Sequence, residues 1–125
     1  MSKNTVKRNG AIDYDAQNDS FFAYSKGVKY KSSVDLDGIL LDIAEDNSIM
    51  GVEVLGVSNR FGISKYDVQN YKSIEVSVKI TEKAIDVHVT LSVLKRNAEI
   101  SRVAEASALN SMNLPVGSDS LAVVA

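Results

Sequence analysis

Apolar and polar residues alternate most regularly between Ile74 and Val93. Ile74, Val76, Val78 and Ile80 alternate with Glu75, Ser77 and Lys79. After Thr81-Glu82-Lys83 the pattern resumes, with Ile85, Val87, Val89, Leu91 and Val93 set against Asp86, His88, Thr90 and Ser92. A period of two puts each set on its own face of a strand, so this stretch predicts an antiparallel hairpin with one buried and one wet face. Residues 37–55, DGILLDIAEDNSIMGVEVL, predict a second hairpin. On its first arm Ile39, Leu41 and Ile43 share a face. On its second arm Met50, Val52 and Val54 share a face, and Glu53 stands opposite with Ile49, Gly51 and Leu55. Glu45, Asp46, Asn47 and Ser48 supply turn chemistry, with Asn47 suited to a left-handed conformation. Gly51 inside an arm marks a bulge or a close backbone approach.

Residues 21–25 and 28–34 predict two further strands, joined at Lys26-Gly27. With the 37–55 hairpin they make a four-strand meander in which consecutive strands are neighbours. Residues 56–62 read as a loop. Ser64 and Asp67 are spaced as a capping box and predict one short helix over residues 65–71. The alanines and glutamates of residues 98–109 favour helix by propensity. Read as a strand, the same stretch puts Ile100, Ala104, Ala106 and Ala108 on one face together with Arg102. The strand is preferred because the second hairpin needs another partner. The expected class is therefore mainly β (α+β): a four-strand antiparallel meander, one short helix, then a second antiparallel meander of about three strands. The expected organisation is a flexible N-terminus over 1–11, the first meander over 12–62, the helix and second meander over 63–109, and a tail over 110–125, all in one compact domain. The apolar end of the tail, from Leu121 to Ala125, suits docking as a strand on this chain or on a neighbour's edge.

Composition narrows the chemistry. A chain of 125 residues buries enough surface for a core without staples. It has no cysteine, which excludes disulfides, iron–sulfur clusters and thiolate zinc sites and fits a reducing compartment. The net charge of −2 provides no global field toward nucleic acid or acidic membranes. No apolar run is long enough to span a bilayer, and the basic N-terminus lacks the apolar core of a signal peptide. The expectation is a soluble, cytoplasmic protein with no cofactor. Lys3, Lys7 and Arg8 suit a nucleic-acid arm, but a frayed terminus explains them more simply. Tyr14, Tyr24, Tyr30, Tyr66 and Tyr71, with Lys26, Lys29 and Lys31 beside two of them, suit a base-stacking platform; the acidic balance favours a packing role instead.

Two segments carry a family resemblance. Tyr14, Asp15 and Asp19 open the first, and the second holds Asp37, Gly38, Asp42, Glu45, Asp46, Ile49, Gly51, Glu53 and Leu55. This spacing resembles the family catalogued as domain of unknown function 2283 over roughly the first half of the chain. The chain departs from the family pattern at Gln17, Ala44 and Asn47, where Glu, Asp and Gly are usual. The resemblance implies a small β-rich domain without an established activity. It also implies that Tyr14, Asp15, Asp19, Asp37, Gly38, Asp42, Gly51 and Glu53 define the fold or contact a partner.

Asp13, Asp15 and Asp19 are the candidate ligands for a hard cation, since Asp13-x-Asp15 opens like a calcium loop. The match fails at Asn18, where glycine is required, and at Tyr24, where glutamate is required, so the carboxylates read as turn and surface residues. His88 is the only histidine; with Asp86 or Glu75 it could act as a general base, but its place on a polar strand face reads as solvent exposure. No nucleophile elbow, phosphate-cradling loop or dinucleotide fingerprint is present. Three function classes follow. The leading one is a non-enzymatic binding or assembly module forming homo-oligomers, with a protein partner and no membrane, nucleic acid or metal. The second, implied by the resemblance, is an antitoxin-like partner that neutralises a small toxin protein. The third is a metal-dependent or acid–base enzyme using the Asp cluster and His88.

Overall fold

The alternating stretches form strands, and the strands form two five-stranded sheets. The computed structural model describes residues 3–7 and 10–124. One sheet is built on the regular hairpin: β7 (Tyr71–Ile80) pairs antiparallel with β8 (Ala84–Lys95), and β8 with β9 (Ala98–Leu109). On its other side β7 pairs antiparallel with β10 (Gly117–Val124), which pairs parallel with β1 (Lys3–Lys7). The order is β1-β10-β7-β8-β9. The second sheet holds β2 (Gly10–Asp15), β3 (Ser20–Ser25), β4 (Tyr30–Leu36), β5 (Ile39–Ala44) and β6 (Ile49–Leu55), in the order β2-β3-β6-β5-β4. The mainly β class with short helical elements is as the periodicity predicts.

Each sheet has one apolar face, and the two faces bury each other. Phe21, Leu41, Ile43, Val52 and Val54 from one sheet form a single cluster with Val76, Val87, Val89, Leu91 and Leu121 from the other. Facing sheets of this kind pack about 10 Å apart with interdigitated side chains. Polar contacts also join the sheets: Asp119 Oδ2 on β10 accepts the Ile49 N–H of β6 at 2.8 Å, and the Tyr71 hydroxyl of β7 donates to the Ile12 carbonyl of β2 at 3.3 Å. Among the described residues no helix is long and apolar enough to cross a membrane.

Several expectations need correction. Residues 3–7, assigned above to a flexible terminus, form β1; Arg8 lies outside the described residues, as does Ala125 at the end of the tail. Residues 10–15 form an additional strand, because Ile12 and Tyr14 pack against the core while Asp13 faces outward. The four strands are not a simple meander. β3 pairs with β6, opposing Phe21 to Val54 and Ala23 to Val52, and β4 lies at the far edge. The apolar inner face of β3 suits a central place, whereas Lys31, Ser32 and Ser33 suit an edge. The result is a Greek-key arrangement, pinned where Glu45 N–H donates to the Lys29 carbonyl at 2.9 Å.

The helical region differs too. Residues 57–61, expected as loop, form α1 (Val57–Phe61), and α2 spans only Lys65–Val68, so Tyr71 opens β7 instead of closing a helix. Gly56 and Gly62 look like breaks in the sequence. They are the flanking residues of α1, at φ 62° and 68°, a region glycine enters without steric cost. Ser64 Oγ accepts the Asp67 N–H at 3.1 Å, as its spacing predicts, but the Asp67 carboxylate turns to Lys95 Nζ at 3.1 Å.

The face assignment in β6 also shifts. Gly51 opposes Asp42 and Ile49 opposes Ile43, so Met50 is an extra residue and Ile49 joins the core in its place. A side chain at Gly51 would meet the Ala23 carbonyl oxygen and Tyr24 Cβ, each at 3.1 Å. Gly51→Val should therefore destabilise the fold by about 1–3 kcal/mol, the usual cost of overpacking. Urea unfolding midpoints of the two proteins check this.

Candidate functional sites on two sheet faces

The residues that carried the resemblance divide into a structural knot, a hairpin turn and an outward row. The knot is centred on Asp19, which ends the β2–β3 turn in a left-handed conformation with φ 53°. Its Oδ1 accepts the Tyr14 hydroxyl at 2.6 Å, and its Oδ2 accepts Ser58 Oγ at 2.6 Å. The Ser58 N–H reaches both carboxylate oxygens at 3.2 Å, and the Asp19 carbonyl accepts the Val57 N–H at 3.0 Å. Asp19 thus ties the β2–β3 turn to α1. The Tyr14 ring lies 6.3 Å from Phe21, and Phe21 meets Tyr71 edge-on at 5.2 Å. Asp15 has a separate duty: it accepts the N–H groups of Gln17 and Asn18 and the Asn18 side-chain amide, closing the turn. Asp13 accepts the Tyr14 N–H. Asp13, Asp15 and Asp19 are thus each engaged locally, and no three metal-binding side chains converge among the described residues.

Asp37 and Gly38 form a two-residue turn, both at positive φ (53° and 93°), which matches the twist of a β-hairpin. Arg60 of α1 donates to the Asp37 carbonyl oxygen and occupies the space a Gly38 side chain would need. Asp42 accepts Ser33 Oγ at 2.7 Å across the β4–β5 pair.

Glu53 belongs to a different arrangement. Strand register places Asp13, Phe22, Glu53, Leu40 and Asp35 in one straight row across β2, β3, β6, β5 and β4. Carboxylates and apolar side chains alternate along it, and successive carboxylates are two strands apart, about 10 Å. Phe22, Leu40 and Glu53 are half-buried. The Glu53 carboxylate makes no hydrogen bond or ion pair among the described residues. Tyr24 and Leu55, on the same outward face, are 45% and 43% exposed.

The other sheet carries a polar trough of about 560 Å³ on its outer face, with Ser77, Lys79, Asp86, His88, Glu105 and Ser107 on its floor and walls. His88 is solvent-exposed, as expected. Its partner is Glu105, with Nδ1 3.2 Å from Oε1, and not Asp86 or Glu75.

Sequence reading missed Ser58 and Arg60, which reach Asp19 and Asp37 only through the fold. It also missed the Asp13–Asp35 row. Alternation within each strand signals outward faces, but only pairing order aligns five strands into one line.

The knot has a definite pH signature. Burial raises the Asp19 pKa, but hydrogen bonds from Ser58 and Tyr14 outweigh it and hold the carboxyl below its usual range. Burial, then the Asp19 hydrogen bond and charge, push the Tyr14 phenol well above its ordinary value. The Asp19 contribution is therefore present above the ordinary carboxylate pKa and is lost as pH falls through the lowered one. The Tyr14 contribution is complete below pH 10.0, the unperturbed value, and is lost as pH rises above it. Tyr14→Phe should cost about 1.5–3 kcal/mol at neutral pH, the range for a hydrogen bond to a charged group. The gap between variant and wild type should narrow above pH 10 and in strong acid, as urea midpoints across pH would read directly.

The chain matches the family described as "Protein of unknown function (DUF2283)" over residues 11–58, the stretch that forms the Asp19 knot and the five-residue row. Over 109 residues it is 45% identical to a Methanosarcina mazei protein named "Putative hypoxanthine phosphoribosyltransferase", covering 87% of this chain and 89% of that one. Over 107 residues it is 37% identical to an uncharacterized protein of Methanocaldococcus jannaschii, covering 85% of this chain and 92% of the relative. No solved structure matches the chain. The similarity to both archaeal proteins runs nearly end to end and spans both sheets, so the chain belongs to one family with them, and its residues 11–58 carry the match to the proteins of unknown function termed DUF2283.

Proposed function

We propose that this protein is a non-enzymatic binding and assembly module that forms homo-oligomers and presents the outer face of the β2–β6 sheet to a cationic segment of a second protein. The row Asp13–Phe22–Glu53–Leu40–Asp35 carries the reading. A half-buried carboxylate without a partner among the described residues, bracketed by Phe22 and Leu40, is suited to a lysine or arginine whose neighbours are apolar. Asp13 and Asp35 at the ends of the row add attraction that screens with salt. The antitoxin-like role implied by the family resemblance is a special case, in which the cationic partner is a small toxic protein held inactive; a genome neighbourhood without such a gene would count against it.

A synthetic peptide of alternating lysine and leucine is a direct probe. Calorimetric titration should show saturable binding that Glu53→Gln weakens about 5–30-fold, the effect of losing a partly desolvated ion pair of 1–2 kcal/mol. Glu75→Gln, on the outer face of the other sheet, should leave binding unchanged. Equal losses in the two variants would reduce the interaction to general charge attraction and sink the reading.

The name of the Methanosarcina mazei relative supports a second reading, in which the trough around His88 takes a purine. Its volume is in the range of small-molecule sites, and Lys79, Asp86, His88 and Glu105 give it hydrogen-bonding groups of both kinds. A ligand that binds only the native state raises its stability, so millimolar hypoxanthine should raise the unfolding temperature under this reading. An unchanged melting curve would remove it.

A further inference from the structure

We infer that β9 pairs with β9 of a second copy, antiparallel about a two-fold axis at Val103, merging two five-stranded sheets into one of ten strands. This rests on the homo-oligomeric part of the reading above and adds its geometry. Among the described residues β9 is an edge strand whose one neighbour is β8. It is twelve residues long, pairs with β8 without a register shift and contains no proline. Edge strands are normally shortened, bulged or broken by proline, because an unbroken edge recruits another strand. The other edges are guarded in this way: β1 has five residues, β2 has six, and β4 is irregular between Tyr30 and Ser32.

Side-chain chemistry selects the register. Residues opposed in an antiparallel pair share a face, so each two-fold register centres on one residue opposed to itself. Centring on Arg102 would oppose two guanidinium groups and set Glu99 against Glu105, and like charges directly opposite destabilise a pair. Centring on Ala104 would set Val103 against Glu105 and Leu109 against Glu99. Centring on Val103 opposes no like charges. It covers Val103, otherwise 56% exposed, with its own copy, and it sets Glu105 opposite Ser101 and Glu99 opposite Ser107, pairs able to hydrogen-bond.

The same register completes the polar trough. Its rows run Ser77–His88–Glu105 and Lys79–Asp86–Ser107 up to the β9 edge. In the dimer the first continues into Ser101 of the partner subunit and the second into Glu99 of the partner subunit. Each trough is then walled on one side by the other copy.

Light scattering across a concentration series tests association, and Val103→Arg tests the axis. The expected result is a reversible dimer whose dissociation constant rises about tenfold or more in Val103→Arg, because two like charges then meet at the two-fold. Circular dichroism checks that this exposed substitution leaves the fold intact. Single cysteines give an independent readout in a chain that has none. Val103→Cys should form an intermolecular disulfide under mild oxidation and Leu109→Cys should not, since in this register Leu109 lies opposite Asn97. A dimer indifferent to Val103→Arg, or equal cross-linking at both positions, would overturn β9 pairing while leaving homo-oligomerisation standing. A monomer at every concentration would overturn both.

Discussion

Everything in this protein depends on two apolar sheet faces packing against each other, with Val57, Phe61, Val68 and Leu114 of the connections completing the core. Each sheet alone would expose a broad surface of valine, isoleucine and leucine to water, at about 25 cal/mol for every Å². Closing them together fixes which face of every strand points inward, and so which points outward. The outward rows are therefore consequences of the core. Glu53 stands between Phe22 and Leu40 because Val52 and Val54 must point the other way. The same holds for His88, carried outward by the burial of Val87 and Val89.

The regular β7–β8 hairpin was legible because a period of two survives tertiary context whenever one face is buried and the other wet. The assignment of residues 98–109 as a strand rested instead on the hairpin's need for another partner, against the helix propensity of its alanines. Those alanines have a packing reason: α1 and β4 approach β9 closely, Ala104 is buried, and Ala106 and Ala108 pack against the core. Strand order was less legible. Nothing local says that β3 prefers β6 to β4, because that choice rests on a central place for Phe21 and Ala23 and an edge for Lys31–Ser33. The residues 56–62 failed as a reading for a related reason. Glycine breaks and glycine caps look identical in a sequence, and only the φ values of Gly56 and Gly62 tell them apart.

The candidate sites divide along the same line. Asp19 was marked by the family resemblance, but its role was hidden, because Ser58 arrives from a distant part of the chain. Of the acidic positions that suggested a cation loop, Asp15 and Asp19 are instead occupied in holding the β2–β3 turn, which is common work for aspartate, and Asp13 faces outward from β2. What remains for recognition is the surface that alternation turned outward: a row of carboxylates and hydrocarbon on one sheet, and a polar trough with an open strand edge on the other.

The parallel pairing of β1 with β10 has a consequence for how the chain reaches this state. Lys3 aligns with Ser118, and β10 itself reaches the sheet only by pairing with β7. β1 therefore waits for its β10 partner until nearly the whole described chain has been made. Such far-apart contacts impose a large loop-closure entropy and slow the search for the native state. The β7–β8–β9 hairpins can form from local contacts while β1 is still unpaired, and β1 can join the sheet only once β10 has taken its place beside β7.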